Sequence, residues 1–215
     1  MLILASSSQA RHKLLERAGI DHEIIISNFD ENTIKEKDPI NLVKSLAEAK
    51  AKKVESRLLV KNSDSHINKN ASAILGCDSV FEFEGTILGK PKNKEEAIKR
   101  LLMMSSKSGT LHTGHYLILI PDDNKRINTH NIKKTHHAVI STLIQFSKLN
   151  KKEVELYANT GEPLSCAGCF TLEGKGSKFI QSINGCYSNV IGLSLPWLNT
   201  KLFNTGIDQS DKDPD

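Results

Sequence analysis

Six segments of this chain hold side chains whose type and spacing suit anion binding or proton transfer. The first is Ala5-Ser6-Ser7-Ser8-Gln9-Ala10-Arg11, a polar loop between a short apolar run and a helical pattern. Backbone N–H groups at a helix start lack partners and attract anions. The serine hydroxyls can donate to phosphate oxygens, and Arg11 adds a permanent cation one turn in. The loop is neither a Walker loop nor a dinucleotide fingerprint, because the glycines of both are missing. The plain alternative is a serine cap followed by a surface arginine.

Asp78 follows the apolar run of residues 73–77. A carboxylate at the end of a buried strand can hold Mg²⁺ or take a proton from water. It can equally be a turn aspartate. Lys50 interrupts an apolar helical stripe, so its ammonium either snorkels to solvent or faces a polar cleft with an anionic partner. Lys90 lies in Gly-Lys-Pro, where glycine allows close backbone approach and proline stiffens the loop. It also reads as a solvated turn lysine. Asp30 and Glu31 sit in a loop after a strand, where acidic residues are commonly just solvated. The stretch 166–176 joins a Cys-x-x-C to closely spaced glycines that permit tight turns, or is only a connector. Jointly, Arg11, Lys50 and Lys90 with Glu31 and Asp78 could neutralise a polyphosphate and position a water for in-line attack.

Positioning these groups is the work of alternating strands and helices. Residues 2–5 read as a buried strand, and a helix capped by Ser8 ends at Gly19. A second strand covers 23–27. A long helix spans 41–58 with Leu42, Leu46, Lys50, Val54 and Leu58 inward, beside Val43 and Ala47. A polar loop spans 61–72. A buried strand at 73–77 ends at Asp78, and a hairpin turns at Glu84-Gly85. Asn93 with Glu96 opens a helix to about Met104. Residues 111–120 and 135–146 look like an antiparallel pair joined through a turn at Pro121-Asp122-Asp123-Asn124. A helix from Asn150 stops near Gly161, a strand covers 179–183, and a closing helix covers 194–203. The class is α/β or mixed α+β, a twisted mixed sheet with helices packed on it.

Composition narrows the function. The 215 residues suit one domain, or two small lobes sharing a core, and the net charge is +4. Residues 204–215 hold four acids and one base, leaving +7 on the body. That tail reads as disordered, with the domain covering 1–203. The excess fits acidic small ligands, but it is too small and dispersed for duplex nucleic acid. No apolar run approaches the roughly 20 residues of a membrane helix, and the N-terminus lacks a signal-peptide core, so a cytoplasmic protein is expected. Cys77, Cys166, Cys169 and Cys186 contain only one close pair, which leaves a four-cysteine zinc site poorly supported against reduced thiols. The histidines match no zinc-protease helix motif, and no nucleophile-elbow serine is present.

Read together, the segments resemble the Maf (septum-formation) family of nucleoside triphosphate pyrophosphatases. The matching stretches are Leu4-Ala5-Ser6-Ser7-Ser8 with Arg11, Asp30-Glu31, Ala49-Lys50-Ala51, Gly76-Cys77-Asp78-Ser79, Gly89-Lys90-Pro91, Thr113-Gly114, Gly161-Glu162-Pro163-Leu164, Ala167-Gly168 through Glu173-Gly174, and 187–193. They occur in family order over nearly the whole chain. The resemblance implies two lobes around a nucleotide cleft, and hydrolysis of (d)NTPs or modified NTPs to monophosphate and pyrophosphate with Mg²⁺ or Mn²⁺. House-cleaning of non-standard nucleotides and a link to cell-division arrest come with it, as does a homodimer. The alternative is a nucleotide-binding regulator of septum formation with little catalysis. Asp78 falls on the family's proton-accepting aspartate and Glu31 on its loop carboxylate, and both are expected at the metal. Ser6, Ser8, Arg11, Lys50 and Lys90 fall on phosphate-cleft positions.

Two departures stand out. The family loop usually reads Ser-Pro-Arg-Arg, against Ser8-Gln9-Ala10-Arg11 here. Glu173 stands where the branch acting on dTTP and UTP typically has glutamine and the branch acting on 7-methyl-GTP has glutamate. A carboxylate there favours a cationic base unless Arg11 or Lys175 pairs with it. The base is left open.

Overall fold

The computed structural model describes residues 1–59, 71–120 and 133–203. The turn expected at Pro121–Asn124, most of the 61–72 loop and the acidic tail lie outside them. The chain opens with strand β1 (Leu2–Leu4), which is fully buried. Ser8 then caps helix α1 (Gln9–Arg17) by accepting from the Arg11 N–H at 3.4 Å. Gly19 follows the helix at φ +68°, a left-handed conformation that glycine adopts without a Cβ penalty. After β2 (His22–Ile24), the long helix α2 (Pro39–Leu59) buries Val43, Leu46, Ala47, Ala51 and Val54.

Strand β3 (Ala73–Phe83) is the axis of the molecule. It turns at Glu84-Gly85 into β4 (Thr86–Leu88). Helix α3 (Lys94–Met104) begins at Asn93, whose Oδ1 accepts from the Glu96 N–H at 2.9 Å. Glu96 returns a bond to the Lys92 N–H at 2.7 Å, so the capping box closes one residue earlier than the sequence pattern implies. The long strands β5 (Ser108–Leu119) and β6 (Lys134–Phe146) form the expected antiparallel pair. Helix α4 (Lys151–Ala158) and strand β7 (Ile180–Asn184) follow. A short helix α5 (Tyr187–Ile191), too brief to be foreseen from its sequence, precedes α6 (Leu195–Leu202).

The sheet is mixed and seven-stranded, in the order β2-β1-β3-β5-β6-β7 with β4 paired to β3. The β1–β2 and β1–β3 pairs are parallel and the others antiparallel. Strand β5 occupies one edge of β3 from Ala73 to Glu82. Strands β1 and β4 share the other edge. The first pairs with residues 73–75 and the second with residues 81–83. Between them, no described strand pairs with residues 76–80 on that edge. This notch contains Asp78.

The strand expected to stop at Cys77 therefore runs straight through Asp78. The apolar run ends there, but the β5 ladder does not: Asp78 lies opposite Gly114 and Ser79 opposite Thr113. A polar residue leaves a strand intact when its backbone groups keep their ladder partners.

The core divides around the notch. Two apolar clusters lie on opposite faces near β1. One joins Leu4, Leu14, Leu75, Cys77 and Leu198, and the other joins Ile3, Ala47, Ala51 and Ile74. A third, richer in aromatics, packs Phe81, Phe83, Phe146, Tyr157 and Phe170 at the far end. Strands β3 and β5 contribute to all three clusters.

Candidate active site

Alternation along β3 decides which groups meet. Ile74, Gly76 and Asp78 face α2, while Leu75, Cys77 and Ser79 face α1 and α6. On the first face, α2 lies almost directly on the strands. A Cβ at Gly76 would stand 2.1 Å from the Ala47 carbonyl oxygen, and one at Gly114 would stand 2.1 Å from that of Val43. Only hydrogen at these two positions lets the helix come so close. One turn beyond Ala47, Lys50 then reaches Asp78.

The Lys50 Nζ donates to Asp78 Oδ1 at 2.5 Å and meets Glu31 Oε1 at 2.7 Å. Lys50 and Asp78 side chains are each 12% exposed, against 56% for Glu31. The snorkelling alternative for Lys50 is thus overturned, because its ammonium turns inward to two carboxylates. Burial pushes the Asp78 carboxyl up from its ordinary range, and the nearby Glu31 charge adds to this. Lys50 and Arg11 pull in the opposite direction. Glu31 arrives on a short helical turn, Glu31–Thr33, capped by the Asp30 carboxylate on the Asn32 N–H. Asp30 therefore shapes the turn, and Glu31 points into the cluster.

On the second face, Arg11 is buried, with 7% exposure. Its Nε donates to the Gly192 carbonyl at 2.7 Å, Nη1 to Ser6 Oγ at 3.0 Å and Nη2 to Ser79 Oγ at 2.9 Å. All three acceptors are neutral, so the charge is fixed in place without being cancelled. Its field reaches Asp78, Cys77 and His115, all of whose proton affinities it lowers. Burial outweighs it at Cys77, whose thiol is pushed up to about 11 and is inert. The surface-arginine alternative fails here, while the Ser8 cap is real.

Behind Arg11 lies a chain of polar groups that sequence reasoning misses. Ser79 Oγ bonds Thr113 Oγ1 at 2.9 Å, and Thr113 donates to the Asn189 carbonyl at 3.3 Å. The buried Asn189 amide ties Ile140 and Thr142 together, each at 3.0 Å. Ser79 adjoins Asp78 in sequence, which is the available signal. Asn189 and Gly192 fall in the family-matching stretch 187–193, but nothing local assigns them this role.

The remaining candidates are placed differently. Lys90 is exposed beyond the end of β4, with no ion pair or hydrogen bond among the described residues. Burial pushes the Cys166 thiol up, and the charge of nearby Lys90 offsets this only in part. No ion pair or hydrogen bond among the described residues links Lys90 to the Lys50–Asp78 pair. Glu173 pairs with Arg17 at the end of α1, and neither Arg11 nor Lys175 is its partner. The four cysteines are free thiols. Cys77 and Cys169 are buried in separate clusters on the two sides of the notch.

A buried strand carboxylate, a second loop carboxylate, a shared lysine and a serine-rich helix start with an uncancelled guanidinium are gathered around one strand of a mixed α/β sheet. The chain belongs to the Maf family: the family model described as Maf-like protein matches residues 1–205. It is 47% identical over 209 residues to a nucleoside triphosphate pyrophosphatase of Prochlorococcus marinus (strain NATL1A), covering 96% of this chain and 97% of that one. A protein of the same description from Prochlorococcus marinus (strain MIT 9215) is 49% identical over 206 residues, covering 94% and 99%. One from Synechococcus sp. (strain CC9605) is 46% identical over 200 residues, covering 93% and 100%. No described helix is long and apolar enough to cross a membrane.

Proposed function

We propose that this chain hydrolyses nucleoside triphosphates to the monophosphate and pyrophosphate. The carrying observation is the convergence of Asp78 and Glu31 on Lys50, beside an Arg11 held only by neutral acceptors. The names of the relatives support the same reading.

Two carboxylates side by side are hard oxygen donors, the set Mg²⁺ or Mn²⁺ takes when substrate phosphates complete its shell. Asp78 and Glu31 would hold that ion, which would neutralise phosphate charge and polarise the phosphorus under attack. Arg11 and the loop of Ser6 and Ser8 bind phosphate oxygens through guanidinium, hydroxyl and helix-start N–H groups. Lys50 holds Asp78 Oδ1, which leaves Oδ2 to accept the proton of the attacking water. Burial favours that role by raising the carboxyl's proton affinity. A carboxylate bound tightly to metal is a poorer base, so with Asp78 as base Glu31 would be the main holder of the ion. Water adds at the α-phosphorus, the bond to the bridging oxygen breaks, and pyrophosphate departs. Lys90 closes on the phosphates from the other side of the notch, and Glu173 contacts the base.

The test is a panel of (d)NTPs and 7-methyl-GTP with Mg²⁺ or Mn²⁺, products being resolved chromatographically. Monophosphate and pyrophosphate are expected. Diphosphate with orthophosphate would place attack at the terminal phosphorus, and binding without any product would overturn the proposal in favour of a regulator.

A further inference from the structure

The stretch 171–177, which carries Glu173, is built around a carboxylate outside the phosphate site. Glu162 Oε2 accepts from the Lys175 N–H at 3.0 Å, and Oε1 accepts from the Gly176 N–H at 2.9 Å. Tyr157, at the end of α4, donates its hydroxyl to the same Oε1 at 2.7 Å. One side chain thus receives two successive backbone N–H groups and a phenol. The approach is too close for larger residues. A Cβ at position 174 would stand 2.5 Å from Glu162 Oε2, and one at 176 would stand 2.4 Å from the Tyr157 hydroxyl. The glycines of Gly174-Lys175-Gly176 are therefore explained by this clamp, not by ligand contact. Gly161 at φ +75° and the buried Pro163 set the backbone on either side of Glu162.

We propose that Glu162 is a positioning residue. It fixes the 171–177 turn from beneath and so presents Glu173, which Arg17 steadies from α1. Tyr157 aims the Glu162 carboxylate through its hydroxyl. This inference rests on the reading of Glu173 as the nucleobase contact. Its consequence is that base selectivity is set by a residue that touches no nucleotide. Charge-assisted bonds from a half-buried carboxylate to backbone N–H groups are stronger than bonds between neutral groups, so their loss loosens the turn markedly.

The test substitutes Glu162→Gln, which keeps one acceptor but opposes an amide NH₂ to a backbone donor. Tyr157→Phe is the milder second variant should the first fold poorly. Amide exchange of residues 171–177 is measured in the full chain, with steady-state kinetics on the nucleotide panel. Exchange in the turn should quicken, while that of β3 stays unchanged. The ratio of kcat/KM between best and second-best base should fall by about tenfold, as for one charge-assisted bond lost. That fall should appear in KM more than in kcat, with the pH–rate profile unmoved. Unchanged exchange in the turn overturns the clamp, even if the wild type cleaves no nucleotide. Faster exchange with unaltered selectivity overturns its functional half. A wild type that cleaves no nucleotide overturns the pyrophosphatase reading and, with it, the role in selectivity.

Discussion

Lys50 and Asp78, 28 positions apart in sequence, share a 2.5 Å hydrogen bond across the α2–β3 interface. The pair depends on two absent side chains, at Gly76 and Gly114, which bring the helix down to the strand. Packing and chemistry are joined at this point.

Replacing Asp78 by Asn would remove the proton acceptor proposed above and leave the shape. Turnover should fall by about two decades or more, the usual worth of a positioned base. Pyrophosphate release under saturating nucleotide measures this, and a near-normal rate would remove Asp78 from that role.

Gly76→Ala forces a methyl group against the Ala47 carbonyl. Since that neighbour is backbone, α2 must lift. We expect a loss of about 1–3 kcal/mol in urea unfolding, with an accompanying fall in activity as Lys50 withdraws. Unaltered stability in this variant would mean that the helix is not seated so closely.

Arg11→Lys keeps the charge but loses the fork that spans Gly192, Ser6 and Ser79. KM for the nucleotide should rise by about tenfold, with the fold retained by circular dichroism. An unchanged KM would show that charge alone suffices.

Stability should also respond to pH through His115. Its Nε2 accepts from the Ser194 N–H at 2.9 Å, and its ring centroid lies 5.0 Å from that of Trp197. Burial, helped by the Arg11 charge, lowers its pKa from 6.5 to about 4. The unfolded chain therefore binds the proton first as the solution is acidified. The stabilisation is complete above about pH 6.5 and is lost as pH falls to about 4, by an amount on the order of 3 kcal/mol. Urea midpoints across that range should drop further for the wild type than for His115→Gln, which accepts but does not titrate. Parallel curves would refute the assignment.

Much of the fold is legible in the sequence, for identifiable reasons. Helix caps are local, so Ser8, Asn93 and Asn150 mark their helices correctly. Lys50 is conspicuous because a lysine in an apolar stripe needs a partner, though the sequence does not say which. The extent of β3 escapes the sequence because strand continuity through Asp78 is decided by β5, more than thirty residues downstream. The roles of Asn189 and Gly192 are hidden for a related reason. Each supplies a backbone carbonyl placed by tertiary packing, and the bonds of the Asn189 amide to Ile140 and Thr142 likewise depend on a strand distant in sequence. The glycines at 174 and 176 are visible, but their purpose becomes clear only beside Glu162.

The passage of β3 and β5 through all three apolar clusters restricts how the protein can adapt to a ligand. Eleven- and twelve-residue strands zipped side by side resist folding about a pivot, so large swings of one half against the other would strain a continuous ladder. On the proposed reading, accommodation of different nucleotides falls to the rim, to the turns holding Glu31, Lys90 and Glu173. Evolution of new preferences would be expected to rewrite those turns and spare the frame.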